Sequence, residues 1–218
     1  MKIDPKDHFF GDIHKIMIGS IVPRPITLVS TVAMNGTQNL APFSYFNGVC
    51  SNPPTIMFAP ARRGYDGKTK DTLNNIRATE EFVVNIVSEA IGEQMVACAT
   101  DYEPEVDEFE ISGLTAVPSK KVSPPRVGES KVSFECKLNQ IIEIGEGGPG
   151  SGAAVIGTIV LFHIDDEVTS DGRILLNKLQ PLGRLAGNRY ARITDTLRIV
   201  RQVKPDDSSP PASNRKKD

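Results

Sequence analysis

The sequence predicts a mainly β protein whose antiparallel strands coil into a barrel, with a few short helices beside it. Strand-forming residues dominate, successive strands are separated only by turns, and two of the strands are unusually long. Sequential strands joined by turns are typical of antiparallel meander or Greek-key sheets, and strands of this length usually form barrels.

Six segments carry the strand signal because they are rich in Val, Ile, Thr and Phe. In chain order they are residues 25–33, 37–41, 55–61, 82–88, 132–146 and 153–169. The pair Asn35-Gly36 predicts a tight hairpin turn between the first two strands. The sequence GGPGSG between the last two predicts a flexible link in a long antiparallel hairpin.

Helix signals are fewer and shorter. Residues 71–79 predict one helix with Asp71 as its N-cap, and residues 89–99 predict a second helix with an apolar stripe. A short helix is expected near residues 12–18. The stretch 100–131 is rich in proline and is predicted to wrap around the barrel.

The organisation along the chain is simple, because no internal repeat is present. One β-rich domain over residues 1–204 is the economical interpretation, and the polar, proline-rich residues 205–218 are typical of disorder. Three cysteines without zinc or redox spacing indicate reduced thiols in a cytoplasmic protein. Acidic residues near the N-terminus and the absence of a long apolar run predict neither export nor a membrane.

Charge and residue patterns exclude several classes of function. The formal net charge is −2, and the only basic cluster is Arg215-Lys216-Lys217. Nucleic-acid binding needs more clustered positive charge, so no nucleic-acid partner is expected. The histidines are not spaced as a metal site, and no nucleophile elbow occurs. An enzyme of this composition would take its chemistry from a cofactor.

A first candidate binding segment lies at the start of the helix predicted over residues 71–79. Lys70 and Thr72 flank a helix end whose backbone N–H groups and dipole attract a phosphate. The alternative is a capped surface helix with solvated lysines, and this segment taken alone favours that alternative.

Three other segments suit a planar, anionic ligand. Ser30, Thr31 and Val32 place small hydroxyl groups after an apolar run, although a strand with one polar face explains them equally well. Residues 47–54 predict a rigid turn whose backbone donors could face a ligand, with an ordinary structural turn as the alternative. Residues 181–190 place two glycines around an arginine, with an ordinary loop as the alternative.

Taken together and in this order, seven stretches resemble the flavin reductase-like family of FMN-binding split barrels. They are RPITLVST (24–31), NLAPFSYFNGVCSNPPTIMF (39–58), KDTLNNI (70–76), EFVVNIV (81–87), VDEFEISGLTAVPS (106–119), PPRVGESKVSFECKL (124–138) and PLGRLAGNRYARI (181–193). No single stretch is decisive, but their series is specific. The resemblance implies a six-stranded antiparallel Greek-key split barrel and a homodimer with a flavin near the subunit interface.

The resemblance also implies which residues meet the cofactor, FMN, with FAD as the alternative. In chain order these residues are Ser30, Thr31, Val32, Asn47, Cys50, Ser51, Lys70, Thr72, Asn85, Arg184, Gly187 and Tyr190. The first three would line the isoalloxazine ring and ribityl chain, the next three would face the ring and the phosphate end, and Lys70 and Thr72 would hold the phosphate. Asn85 is either a buried amide facing the flavin or a strand residue satisfied by neighbouring backbone. The last three would close the site, from this subunit or its partner.

The implied activity is that of a flavin-dependent oxidoreductase, in which NADH or NADPH reduces the flavin. A monooxygenase or an electron-transfer protein is the expected partner. Some NADH-using reductases of this superfamily carry a late Gly-Asp-His motif, whereas the corresponding region here reads GRLAGNRYARITD. The alternative is therefore a flavodoxin-like electron carrier or a flavin-binding protein without nicotinamide turnover. Cys50 is expected to be a small buried side chain rather than a redox group.

Overall fold

The structure, a computed structural model, describes residues 1–200, so the tail predicted over residues 205–218 lies outside the described residues. In chain order the strands are β1 (Arg24–Pro25), β2 (Thr27–Val32), β3 (Gln38–Phe43), β4 (Phe46–Ser51), β5 (Pro54–Phe58), β6 (Glu81–Ile86), β7 (Ala116–Val117), β8 (Arg126–Val127), β9 (Val132–Ile144), β10 (Gly152–Ile164), β11 (Thr169–Ser170), β12 (Arg173–Ile174), β13 (Leu182–Arg184) and β14 (Tyr190–Arg192). The helices are α1 (Phe10–Ser20), α2 (Asp71–Thr79), α3 (Gly92–Ala97), α4 (Glu108–Ser112) and α5 (Leu176–Leu179), with short 3-10 turns at Pro5–Asp7, Glu89–Ile91 and Asp166–Val168. No helix within residues 1–200 is long and apolar enough to cross a membrane.

The central sheet has the strand order β3-β2-β6-β9-β10-β5-β4, and all of its neighbouring strands are antiparallel. The chain passes from β3 at one edge to β4 at the other through only Ser44 and Tyr45. The sheet must therefore curl until its two edges approach at this corner. Within residues 1–200, no pairing between β3 and β4 closes the sheet, so the barrel is split rather than continuous.

The predicted antiparallel, mainly β fold is confirmed, but the strand count of six is wrong because the sheet has seven. The additional strand is β4, whose residues the sequence predicts as part of a rigid turn. It pairs with β5 through a register shift between Gly48 and Cys50. An edge strand bonds to a neighbour on one side only and here faces outward, so it lacks the apolar alternation that marks a half-buried strand.

The helix predictions are confirmed to different degrees. Helix α2 has the predicted bounds, although Lys70 rather than Asp71 occupies the N-cap position. The helix predicted over 89–99 is divided into a 3-10 turn and α3, which begins at Gly92. Helix α4 lies in the stretch predicted as loop, and Asp107 caps it by accepting a hydrogen bond from the Phe109 N–H group.

Two apolar clusters pack on opposite faces of β2. Val29 belongs to the cluster inside the curled sheet, together with Phe58 and Phe82. Leu28 belongs to an outer cluster that includes Met95 of α3 and Phe109 of α4. The short helices α3 and α4 therefore cover the outer face of the strands that lead to the β3–β4 corner.

The Gly-rich link between β9 and β10 packs against neighbouring segments instead of standing free. The Arg62 N–H group donates to the Ser151 carbonyl at 3.0 Å. A Cβ atom at Gly67 would lie 3.1 Å from Pro149, and one at Gly150 would lie 2.8 Å from Phe10. These close approaches explain why glycine occupies both positions and place the hairpin tip beside α1.

Candidate functional site

A cavity of about 230 Å³ lies at the corner where the two edges of the sheet approach each other. The end of β3, the loop after β5, the start of α2, helix α1 and the end of β13 all contribute to its wall. Its charged residues are Arg24, Lys70 and Arg184, with His14 beside them, and no carboxylate among the described residues lines it. This charge distribution favours an anionic ligand.

The start of α2 adds backbone donors next to Lys70, on residues that line an adjoining, smaller cavity rather than this one. Lys70 at the N-cap is extended and, within residues 1–200, no side chain caps the helix. The Lys70 carbonyl accepts from the N–H groups of Leu73 and Asn74, whereas those of Asp71 and Thr72 have no hydrogen-bond partner in the described part of the chain. Unpaired N–H groups at the positive end of a helix dipole are a recurrent phosphate-binding arrangement.

Tyr45 supplies a buried polar atom that the protein itself does not satisfy. Its side chain lines the cavity, and its hydroxyl has no hydrogen-bond partner among residues 1–200. An unsatisfied buried hydroxyl costs about 1–3 kcal/mol. The Tyr45 hydroxyl is closed off from solvent in the single chain, so it would gain a hydrogen bond if its ring turned toward a polar group of a ligand in the cavity.

Arg24 holds the wall of the cavity together. Its guanidinium donates to the carbonyls of Ile18 and Ile21 at 2.9 and 2.6 Å. It also donates to the Leu185 carbonyl at 3.2 Å and to the Ser44 hydroxyl at 3.3 Å. Burial is the main cause that lowers the pKa of Arg24, but an arginine remains charged in proteins. One side chain thus joins the end of α1, the β3–β4 corner and the end of β13.

A smaller cavity of about 70 Å³ lies on the other side of Lys70. Its wall carries the acidic residues Asp71, Asp101 and Glu108 together with Arg63. Lys70 Nζ lies 2.6 Å from Asp101 Oδ1, and Arg63 Nη2 lies 3.2 Å from Asp71 Oδ2. The charges around the smaller cavity are therefore largely paired within the protein.

A buried polar network ties the first turn of α2 to the sheet. The hydroxyls of Thr72 and Thr31 donate to Asn39 Oδ1 at 2.8 and 3.2 Å. Asn39 Nδ2 donates to Glu108 Oε1 at 2.9 Å, and Asn75 Nδ2 donates to Thr31 at 3.0 Å. Burial raises the pKa of Glu108. Thr72 lines the smaller cavity, and the hydroxyl protons of both Thr31 and Thr72 are directed to other protein groups.

Ser30 and Asn85 are buried together in a different place. The Ser30 hydroxyl donates to the Pro125 carbonyl at 2.5 Å. Asn85 Nδ2 donates to the Leu28 carbonyl at 3.1 Å, and Asn85 Oδ1 accepts from the Val127 N–H group at 3.0 Å. Of the two interpretations of Asn85, this geometry favours the strand residue satisfied by neighbouring backbone.

The structure does not bring the predicted residues of β4 to the cavity wall of the single chain. Asn47, Cys50 and Ser51 are exposed on this edge strand. The expectation that Cys50 is buried is wrong, because the edge strand β4 faces outward. The Cys50 thiol donates to the Pro53 carbonyl at 3.0 Å. Val32 is half-buried at the end of β2.

The C-terminal predicted residues occupy the β13–β14 hairpin. Arg184 reaches the cavity wall, and its guanidinium lies 4.6 Å from the centre of the Tyr190 ring. Gly187 adopts a φ of +60° in the exposed turn between the two strands. The hairpin thus places one cation at the cavity and supports it by a cation–π contact.

The cavity-wall residues that the sequence did not single out include His14, Arg24 and Tyr45. Arg24 and Tyr45 lie inside stretches that carry the family resemblance, and an arginine directly before an apolar strand was the available signal for Arg24. Within residues 1–200, no group of three or more His, Cys, Asp or Glu side chains is placed to hold a metal ion.

Comparison with known proteins identifies the family of this chain. The family model for the flavin reductase like domain matches residues 18–183. An uncharacterised Aquifex aeolicus protein is 40% identical over 184 residues, which cover 84% of this chain and 91% of that protein.

Two solved structures show the same fold at substantial identity. Nitrilotriacetate monooxygenase component B from Bacillus cereus is 35% identical with a TM-score of 0.87, over 91% of this chain and 98% of that chain. The 2-nitrobenzoate 2-nitroreductase NbaA of Pseudomonas fluorescens is 33% identical with a TM-score of 0.81, over 97% of this chain and 100% of that chain. The fold, the matched residues and these similarities establish that the chain belongs to the flavin reductase-like family.

Proposed function

We propose that this chain is an FMN-binding flavoprotein oxidoreductase that holds FMN in the basic cavity and reduces it with NADH or NADPH. The observation that carries the proposal is a cavity whose wall contains the cations Arg24, Lys70 and Arg184 together with the Tyr45 side chain, and whose described lining residues include no carboxylate. FMN combines an anionic phosphate with a planar ring that bears polar atoms. FAD offers the same groups and is the alternative cofactor.

The residues present fit such a ligand, and each would have a limited task. Lys70 and the unpaired N–H groups at the start of α2 would hold the phosphate. Tyr45 and Arg184 would bind polar atoms of the ring or ribityl chain. Arg24 would hold the segments of the cavity wall in place through its hydrogen bonds to them. A bound flavin supplies the hydride and electron transfer, so the protein needs to bind, orient and shield it.

A homodimer is the second part of the proposal. Helix α1 has no buried residue in the single chain, and its Ile16 is 45% exposed. The predicted residues Asn47, Cys50 and Ser51 are exposed on β4. Exposed apolar side chains on a helix that buries none of its residues in its own chain favour a subunit contact. A second copy covering α1 and β4 would bring these three residues to the flavin and close the cavity.

The similarity to a monooxygenase component favours a partner that consumes reduced flavin, and the similarity to a nitroreductase favours direct reduction of a bound substrate.

The first experiment is an FMN titration followed by anaerobic addition of NADH and, separately, NADPH. Bleaching of the bound flavin by either nucleotide supports the reductase. Bound flavin that stays oxidised favours the electron carrier, and protein that binds no flavin overturns the proposal.

Lys70→Ala is expected to weaken FMN binding by about 1.5–3 kcal/mol, or roughly 10- to 150-fold, because a hydrogen bond to a charged group is lost. Fluorescence titration gives the Kd. Lys68→Ala is the matched control, since the Lys68 side chain is 76% exposed and does not line the cavity. An unchanged Kd for Lys70→Ala would place the phosphate elsewhere.

Tyr45→Phe is expected to raise the FMN Kd by roughly 2- to 12-fold, the value of one neutral hydrogen bond. The stability of the free protein should not fall, because the hydroxyl has no partner within residues 1–200. Tyr65→Phe is the control, since Tyr65 is 70% exposed. A lower Tm with unchanged FMN affinity would show that Tyr45 has a structural role only.

A further inference from the structure

Lys70 separates two cavities of opposite character. On one side lies the basic cavity, whose described lining residues include no carboxylate. On the other side lies the smaller cavity, with three acidic side chains in its wall. Lys70 lines both, so its ammonium can be shared between a ligand in the first cavity and a carboxylate of the second.

Asp101 is the carboxylate that holds this ammonium. Its Oδ1 atom lies 2.6 Å from Lys70 Nζ, and the two side chains are only 30% and 29% exposed. The other acids have different partners: Asp71 pairs with Arg63, and Glu108 accepts from Asn39. The Lys70–Asp101 pair is thus a partly buried contact that solvent screens less than a surface ion pair.

We propose that Asp101 is an affinity-determining residue that competes with the phosphate of the flavin for Lys70. This inference rests on the proposed function. A phosphate bound to Lys70 would lie within about 6 Å of the Asp101 carboxylate, because both groups contact the same ammonium, and like charges at this distance repel each other. The cation therefore binds the phosphate less tightly than it would without Asp101.

The consequence concerns how the flavin is used. An acid paired with the phosphate-binding cation lowers the affinity for FMN without altering the shape of the cavity. A lower affinity allows reduced flavin to leave and be replaced. Asp101 thus favours FMN as an exchanging substrate over FMN as a permanently held group.

The test compares Asp101→Asn with Glu103→Gln. Both variants remove one negative charge from the same loop, but Glu103 is exposed and lines neither cavity. The probes are FMN and riboflavin, which lacks the phosphate. Asp101→Asn is expected to lower the Kd of FMN by about 3- to 5-fold and to change that of riboflavin by less than about twofold. Glu103→Gln should change neither.

A double-mutant cycle with Lys70→Gln assigns the effect to the ion pair, since Asp101→Asn should have no effect on FMN binding in that background. Thermal unfolding checks that each variant folds, and Asp101→Ser replaces Asp101→Asn if that variant does not.

Unchanged or weaker FMN binding by Asp101→Asn, beside a wild-type protein that binds FMN, overturns this inference alone. The inference is also overturned if Asp101→Asn tightens FMN binding as much in the Lys70→Gln background as it does in the wild-type protein. A folded wild-type protein and folded variants that all fail to bind FMN overturn the proposed function, and the inference falls with it.

Discussion

Glu135→Ala is expected to lower the free energy of unfolding by about 3–5 kcal/mol, the cost of breaking a buried, hydrogen-bonded charge. The Glu135 side chain on β9 is fully buried. Its carboxylate accepts from the N–H groups of Lys120 and Lys121 at 2.8 and 2.6 Å and lies 2.6 Å from His163 Nε2. The substitution leaves all three groups unpaired and releases the segment around Lys120 from the sheet.

Urea-induced unfolding followed by circular dichroism measures this loss. Glu110→Ala is the control, because Glu110 is exposed on α4, and its change should stay within about 0.5 kcal/mol. A loss of less than about 1 kcal/mol for Glu135→Ala would show that water replaces the carboxylate without penalty.

The same carboxylate should make stability depend on pH. Burial opposes its ionisation, but hydrogen bonds from Lys120, His163 and Lys121 outweigh burial and lower the pKa of Glu135. A carboxyl whose pKa is lower in the folded state stabilises the protein above the unfolded pKa, about 4.3, and loses this contribution as pH falls through the folded pKa. Stability should therefore fall more steeply below about pH 4.3 in the wild-type protein than in Glu135→Gln. Parallel slopes would contradict this assignment.

Phe82→Ala is expected to lower the free energy of unfolding by about 3–5 kcal/mol, because it leaves a cavity in the core. Phe82 is fully buried inside the curled sheet, with its ring centre 5.5 Å from that of Phe58. A Cβ atom at Gly157 of β10 would overlap the Phe82 ring, approaching its Cε1 atom to 2.9 Å. Gly157→Ala is therefore expected to cost about 1–3 kcal/mol by overpacking.

The stability effects of the two substitutions should not be additive, because Phe82→Ala removes the ring with which the new methyl group of Gly157→Ala would clash. In the Phe82→Ala background, Gly157→Ala is expected to cost little or to restore stability by filling space. Gly64→Ala is the control, since a Cβ atom there would meet nothing within 4 Å. Additive losses in the double variant would show that the Phe82 ring does not set the glycine requirement.

Much of the fold follows from local sequence. Helix α2 has its predicted bounds, and the long hairpin of β9 and β10 lies where strand-forming residues flank a Gly-rich link. Strand β4 was missed because an exposed edge strand has no apolar alternation to reveal it. Helix α4 was missed because it has five residues and is held by distant contacts, including the bond from the Leu40 N–H group to Glu108.

The candidate site shows the same division. Lys70 and Thr72 could be selected from sequence, because a helix start and its cation are neighbours along the chain. Tyr45 could not be selected from sequence, because only folding buries its hydroxyl without a partner among the described residues. Arg24 could not, because one of its hydrogen bonds reaches Leu185, 161 residues away.

The sequence by itself thus determined a β-rich chain with the motifs of a flavin reductase-like protein, and it predicted one helix start as a phosphate site. Only the tertiary structure showed that the cations Arg24, Lys70 and Arg184 meet in one cavity and that Asp101 forms an ion pair with Lys70. Charge pairing and burial depend on distances between residues remote in sequence, which local patterns do not encode.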